Sequence, residues 1–97
     1  MKLEWDEAKR KANLRKHGLD FADAHKVFQG PLRYAADLRN DYGEERWQGI
    51  GLLNERVVVV IFLEPEPDII RIISLRRAKQ HERIAFEAEI ADRLGEG

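Results

Sequence analysis

"VVVVIFLEPEPDIIRIISLRRAKQHER", residues 57–83, holds the two most apolar runs of the chain and its densest positive charge. Val57–Leu63 is apolar throughout and mostly β-branched, the pattern of a central strand covered on both faces. "EPEPD" (Glu64–Asp68) reads as a stiff loop, because its two prolines cannot donate to a ladder. Ile69–Leu75 is a final strand. Strict alternation puts Ile69, Arg71, Ile73 and Leu75 on one face and Ile70, Ile72 and Ser74 on the other. After Ala78 the spacing turns helical to about Leu94, with Ile84, Ala88 and Ala91 on one stripe and Phe86 and Ile90 beside it.

Upstream of this stretch, Arg46–Leu53 reads as a strand joined to Val57–Leu63 by a tight turn at Asn54-Glu55. Leu32–Asp37 is a weaker strand, and "NDYG" (Asn40–Gly43) is a turn. At the start, "KLEW" suits a short strand with Leu3 and Trp5 on one face. Asp6 caps a helix that runs to about Lys16 and ends at Gly18. Asp20 caps a second helix, whose apolar stripe is Phe21, Ala24 and Phe28 and which Gly30-Pro31 stops. Helices set apart from a meander imply an α+β fold. N-terminal helices pack on one face of a three- to four-stranded antiparallel sheet, with a C-terminal helix to close. The other face is expected to stay partly open, and a site belongs there.

The 97 residues suit one domain, residues 1–97. With 43% hydrophobic and 36% charged residues, the composition is globular with a heavily charged exterior. The lack of cysteine excludes disulfides, thiolate metal sites and cysteine nucleophiles, and fits a reducing cytoplasm. The first 18 residues contain no apolar segment of the signal-peptide kind, and no apolar run is long enough to span a bilayer.

The net charge of −1 conceals segregation. Residues 1–18 carry six Lys/Arg against three acids, and residues 71–83 carry five against one. The segments between and after them are acidic. Two basic segments brought together by the fold would suit an anionic ligand; otherwise they form a salt-bridged surface.

Arg71 breaks into the apolar strand, and Arg76 and Arg77 sit at its exit. A guanidinium on a sheet face must reach water, pair with an acid such as Glu44, Glu45 or Asp68, or clamp a phosphate. Arg46 stands beside Trp47, whose indole suits either core packing or a stacked base. His17, at a helix C-terminus, suits either a dipole contact or proton transfer. His25 falls off the apolar stripe and reads as surface. Lys79 and His81 extend the basic exit. The histidine spacing fits no metal motif, and no metal or other cofactor is expected. One chemistry needs no more than this: RNA cleavage, in which the 2′-hydroxyl is the nucleophile. The protein orients the phosphate, stabilises its added charge and moves protons.

Three blocks then carry a resemblance: "EWDEAKRKANLRKHGLDFADAHKVF" (Glu4–Phe28), "DYGEERWQGIG" (Asp41–Gly51) and "IRIISLRRAKQHER" (Ile70–Arg83). In this order and spacing they closely resemble the BrnT family of type II toxins. The resemblance implies a RelE-like ribonuclease fold and an endoribonuclease that arrests translation. It also implies a ribbon-helix-helix antitoxin, BrnA, which neutralises the toxin and brings the complex to operator DNA. The family's basic positions fall on Lys16, His17, Arg46, Arg71, Arg76 and Arg77. Arg71, Arg76, Arg77 and His17 become the catalytic candidates, and Lys16, Arg46, Lys79 and His81 the substrate contacts. A dimerising antitoxin implies a two-plus-two assembly. One stretch departs from the pattern: many members follow the central strand with a Tyr-Thr turn bearing an arginine, where this chain has "IFLEPEPD" (Ile61–Asp68). The alternative from another class is a non-catalytic domain of the same fold that binds an antitoxin-like partner or nucleic acid.

Overall fold

A computed structural model describes residues 1–37 and 45–95. The turn expected at Asn40–Gly43 lies outside them. The elements are β1 (Lys2–Glu4), α1 (Glu7–His17), a 3₁₀ turn (Phe21–Asp23) leading into α2 (Ala24–Gln29), β2 (Leu32–Ala36), β3 (Trp47–Leu53), β4 (Arg56–Glu66), β5 (Ile69–Arg77) and α3 (Gln80–Gly95).

The sheet has five strands in the order β1-β5-β4-β3-β2. This corrects the expected three- to four-stranded antiparallel sheet, because β1 pairs parallel with β5 and adds an edge. Everything from α1 to β4 lies between these two strands in the chain, far more than the dozen or so residues a parallel connection needs. The β3–β4 hairpin turns at Asn54 and Glu55, both with positive φ (50° and 70°), as a two-residue type I′ turn requires.

Along β4, Val58, Val60 and Phe62 face one way. With Ile70, Ile72 and Leu75 of β5 and Phe21, Ala24 and Val27 of the α2 region they form the main core. Gly51 permits this close approach: a Cβ there would lie 2.8 Å from the Val27 side chain. Phe28 adds an edge-on contact with Phe62 at 5.2 Å. Trp47 is half-buried against the same core, and its ring meets Tyr34 edge-on.

The other face of β4 presents Val57, Val59, Ile61 and Leu63, which are also buried. Here the structure differs from expectation, because α3 crosses this second face instead of leaving it open. Phe86 is buried, Arg33 on β2 pairs with Glu89 on α3 at 3.2 Å, and Gln48 on β3 reaches Glu82. The seam of α3 is therefore Glu82, Phe86 and Glu89. Ile84, Ala88 and Ala91 are exposed, because the ends of the seam are polar and an apolar count misplaces the face.

Two irregularities correct the reading of residues 57–83. Pairing steps from Ile61↔Ser74 to Phe62↔Ile72, so Ile73 is an extra residue on β5. This bulge reverses the alternation. Leu75 joins Ile70 and Ile72 in the core, while Ser74 and Arg76 share the second face with Arg71. The "EPEPD" segment is not all loop. Strand β4 continues to Glu66 through a second irregularity, and only Pro67-Asp68 turns, with Asp68 at φ 66°. Proline fits a bulge because no ladder donor is missed there.

Candidate active site

Past Glu4, β1 ends, and α1 takes over the outer edge of β5. Asn13 is buried and bonds both ways with one residue of that edge. Its Nδ2 donates to the Leu75 carbonyl at 2.8 Å, and the Leu75 N–H donates to its Oδ1 at 3.2 Å. One helical turn later, on the same side of α1, comes His17. Asn13 thus fixes where His17 lies: beside the exit of β5, where Arg76 and Arg77 stand. Gly18, at φ 70°, closes α1 by donating its N–H to the Leu14 carbonyl at 2.9 Å.

Arg76 lies opposite Val59 on the second face and is mostly buried. Its Nη1 and Nη2 donate to the two carboxylate oxygens of Glu82 at 2.8 and 3.0 Å, and Nη1 also reaches the Arg77 carbonyl at 3.3 Å. A guanidinium has five donor hydrogens. Among the described residues, the Nε hydrogen and one Nη2 hydrogen of Arg76 remain unused. Those two hydrogens share one edge of the fork, the edge that fits a phosphate.

Glu82 is the hub. Besides Arg76 it accepts the Lys79 backbone N–H at 2.8 Å and Gln48 Nε2 at 3.3 Å. The backbone bond is one half of a capping box at the start of α3. The Arg76 guanidinium, together with the Lys79 N–H, holds the Glu82 carboxyl at about 2 against the desolvation that opposes it. The His17 pKa is lowered as well, which for a base favours the uncharged form. Half-burial lowers its pKa first, and the charges of Lys16 and Arg76 lower it further. Burial and these two cations therefore all favour the neutral imidazole.

The structure divides the sequence-predicted residues into groups. His17, Lys16, Arg76, Arg77, Lys79 and His81 gather around the β5 exit and the start of α3, with Arg77 registered opposite Val58 and so directed toward the α1–α2 side. Arg71 stands apart. Four residues along β4 separate their partners Leu63 and Val59, about 13 Å at strand rise. Arg71 Nε donates to Glu4 at 2.6 Å rather than to Glu45 or Asp68, and Glu44 lies outside the described residues. Arg46 precedes β3 at that same far end, half-buried, and its carbonyl accepts the Asp37 N–H at 2.8 Å. His25 is exposed, with Nδ1 2.9 Å from the Ala22 carbonyl. Asn13, Gln48 and Glu82 were missed from sequence. A Glu three residues after a helix start is a capping signal, but Lys79 at the cap position disguises it.

A five-stranded α+β sheet with these three helices is, by comparison with known proteins, the fold of a ribonuclease toxin. The chain belongs to the BrnT family: residues 5–82 match the model described as "Ribonuclease toxin, BrnT, of type II toxin-antitoxin system". It is similar to the crystal structure of the Brucella abortus ribonuclease toxin BrnT, with 35% identity and a TM-score of 0.64. That likeness covers 82% of this chain and 99% of the other. No protein of curated function matches the chain. Membership of a type II toxin family implies an antitoxin partner. Among the described residues no helix is long and apolar enough to cross a membrane.

Proposed function

We propose that this toxin is a metal-independent endoribonuclease whose reaction centre is the exit of β5. The observation that carries this is the Arg76 guanidinium, held by Glu82 with one edge of its fork unused among the described residues, with His17 close enough to feel its charge. His17 takes the proton of the 2′-hydroxyl as that oxygen attacks the adjacent phosphorus. The bond to the 5′-oxygen breaks, and that oxygen takes up a proton, leaving a 2′,3′-cyclic phosphate and a 5′-hydroxyl. The free edge of Arg76 stabilises the extra charge on the phosphate, a form of assistance that a preorganised donor supplies best. Arg77, Lys16, Lys79 and His81 hold the neighbouring strand, and Arg71 and Arg46 extend the basic track toward the far end of the sheet. Cleaved messenger then arrests translation in the cytoplasm.

Arg76→Ala is expected to lower single-stranded RNA cleavage by about 10²-fold or more, as loss of an oxyanion donor does. Urea denaturation of the same variant shows whether the fold is retained. With wild-type protein the rate is expected to fall on the acidic side as His17 protonates, and His17→Ala should remove that limb. A rate indifferent to both changes would end this assignment.

The partner we propose is a BrnA-like ribbon-helix-helix protein that binds operator DNA on behalf of the complex. Such proteins dimerise, so symmetry gives a two-plus-two assembly. The mass of the copurified complex by light scattering checks this, and a one-to-one mass would refute it.

One observation favours a second reading. Both strand arginines, Arg71 and Arg76, already pair with carboxylates. In that reading the charges serve recognition only, and the purified protein binds RNA without cutting it, with or without magnesium.

A further inference from the structure

Between the β2–β3 edge of the second face and the start of α3 lies a cavity of about 260 Å3. We infer that it seats one nucleobase of the RNA strand and that Gln48 reads that base. This rests on the ribonuclease reading above and names a specificity determinant for it. Ile50, Ala35 and Ala85 give the cavity an apolar lining, and Gln48 and Glu82 give it a polar wall. Arg33, which pairs with Glu89, and His81 also stand among its lining residues. The volume is just below the roughly 300–1,000 Å3 that holds a drug-sized molecule, which suits one planar ring system. Proteins that read RNA sequence take single unstacked bases into such sites and hydrogen-bond their edges.

The wall has a fixed polarity. Ionised Glu82 can only accept, so the Gln48 amide must turn Nε2 toward it, and this bond settles which end of the amide is oxygen. Gln48 is half-buried, and among the described residues nothing donates to its Oε1. That oxygen is an oriented acceptor, and the exocyclic amine of adenine, cytosine or guanine supplies a donor; adenine and cytosine serve as the probes. Uracil carries no amine, and its N3–H lies between two carbonyl oxygens, one of which would face the acceptor-only Glu82 carboxylate. Glu82 bonds Gln48 and Arg76 at once, so the base site and the phosphate site share a single carboxylate. A base seated against Gln48 therefore sets which phosphate meets Arg76.

The test uses single-stranded oligouridines carrying one adenosine or cytidine, against the all-uridine strand. Cleavage position and rate are measured alongside binding by fluorescence anisotropy. Wild-type protein is expected to cut beside the amine-bearing base about five- to tenfold faster than in oligouridine, the worth of one or two hydrogen bonds. Gln48→Leu should bring that ratio close to one, chiefly by loss on the adenosine and cytidine strands. A wild-type ratio of one, or a Gln48→Leu protein that keeps the preference, would overturn the inference. Should Gln48→Leu fail to fold, Ala85→Leu at an exposed lining position fills the cavity instead; a diminished preference supports the base site and an unchanged one overturns it. If wild-type protein cuts no RNA, the ribonuclease reading falls separately. Anisotropy then still decides the cavity: tighter binding of the adenosine or cytidine strands supports it, and equal binding overturns it.

Discussion

Glu82 joins three parts of the molecule: the exit of β5, the cap of α3 and, 34 residues away in sequence, the start of β3. Its carboxyl titrates near 4.5 when free and at about 2 in the fold. Between those values the unfolded chain binds the proton and the folded chain does not. The stabilisation is therefore complete above about pH 4.5 and lost as pH falls toward 2. Glu82→Gln keeps the size of the side chain and removes the charge. It is expected to cost roughly 1.5–3 kcal/mol at pH 7, as loss of charged hydrogen bonds does. It should also flatten the acid limb of stability, both readable from urea midpoints between pH 2 and 7. A variant with the wild-type acid limb would show that Arg76 is held by something else. The Arg71–Glu4 pair is about half exposed on its arginine, and an exposed pair contributes only ~0–1 kcal/mol.

At the scale of elements, Gly51 decides how closely α2 rests on β3. Gly51→Ala would put a methyl 2.8 Å from Val27 and 3.2 Å from the Pro31 carbonyl, a backbone atom that cannot swing away. The expected loss is about 1–3 kcal/mol by denaturation, the usual cost of overpacking; no loss would mean that α2 lifts freely. Most of the strands and helices were legible because their signals are local. Apolar runs mark β4 and β5, Asp6 and Gly18 bracket α1, and Asn54-Glu55 marks the hairpin. What escaped depends on neighbours far along the chain. The bulge at Ile73 moves Leu75 and Ser74 to faces opposite to those that alternation assigns, because β5 must match β4 in register. The face of α3 escaped for a related reason: Glu82 and Glu89 look like solvent residues until Arg76 and Arg33 are found opposite them. In the site, the basic residues stood out by type. Their separation into an Arg76 group and an Arg71 group did not, since both groups come from one strand.

Across the whole molecule, the charge segregation seen in the sequence becomes geometry. The two basic segments, residues 1–18 and 71–83, meet where α1 runs along the edge of β5, tied by Asn13 to Leu75. The acidic stretches go elsewhere: Asp20 pairs with Arg10 at 2.8 Å, and Glu89 with Arg93 at 3.1 Å. What remains at the β5 exit is net positive, a place for a polyanion, and the affinity for RNA should weaken steeply with salt as counterions are released. The most direct measurement is the chemistry of the cut ends. Purified toxin is incubated with single-stranded RNA in EDTA, and the products are analysed by mass spectrometry. A 2′,3′-cyclic phosphate on one fragment and a 5′-hydroxyl on the other, both absent with Arg76→Ala, is the expected result. RNA left intact in EDTA, or ends of any other kind, would contradict a reaction run by His17 and Arg76.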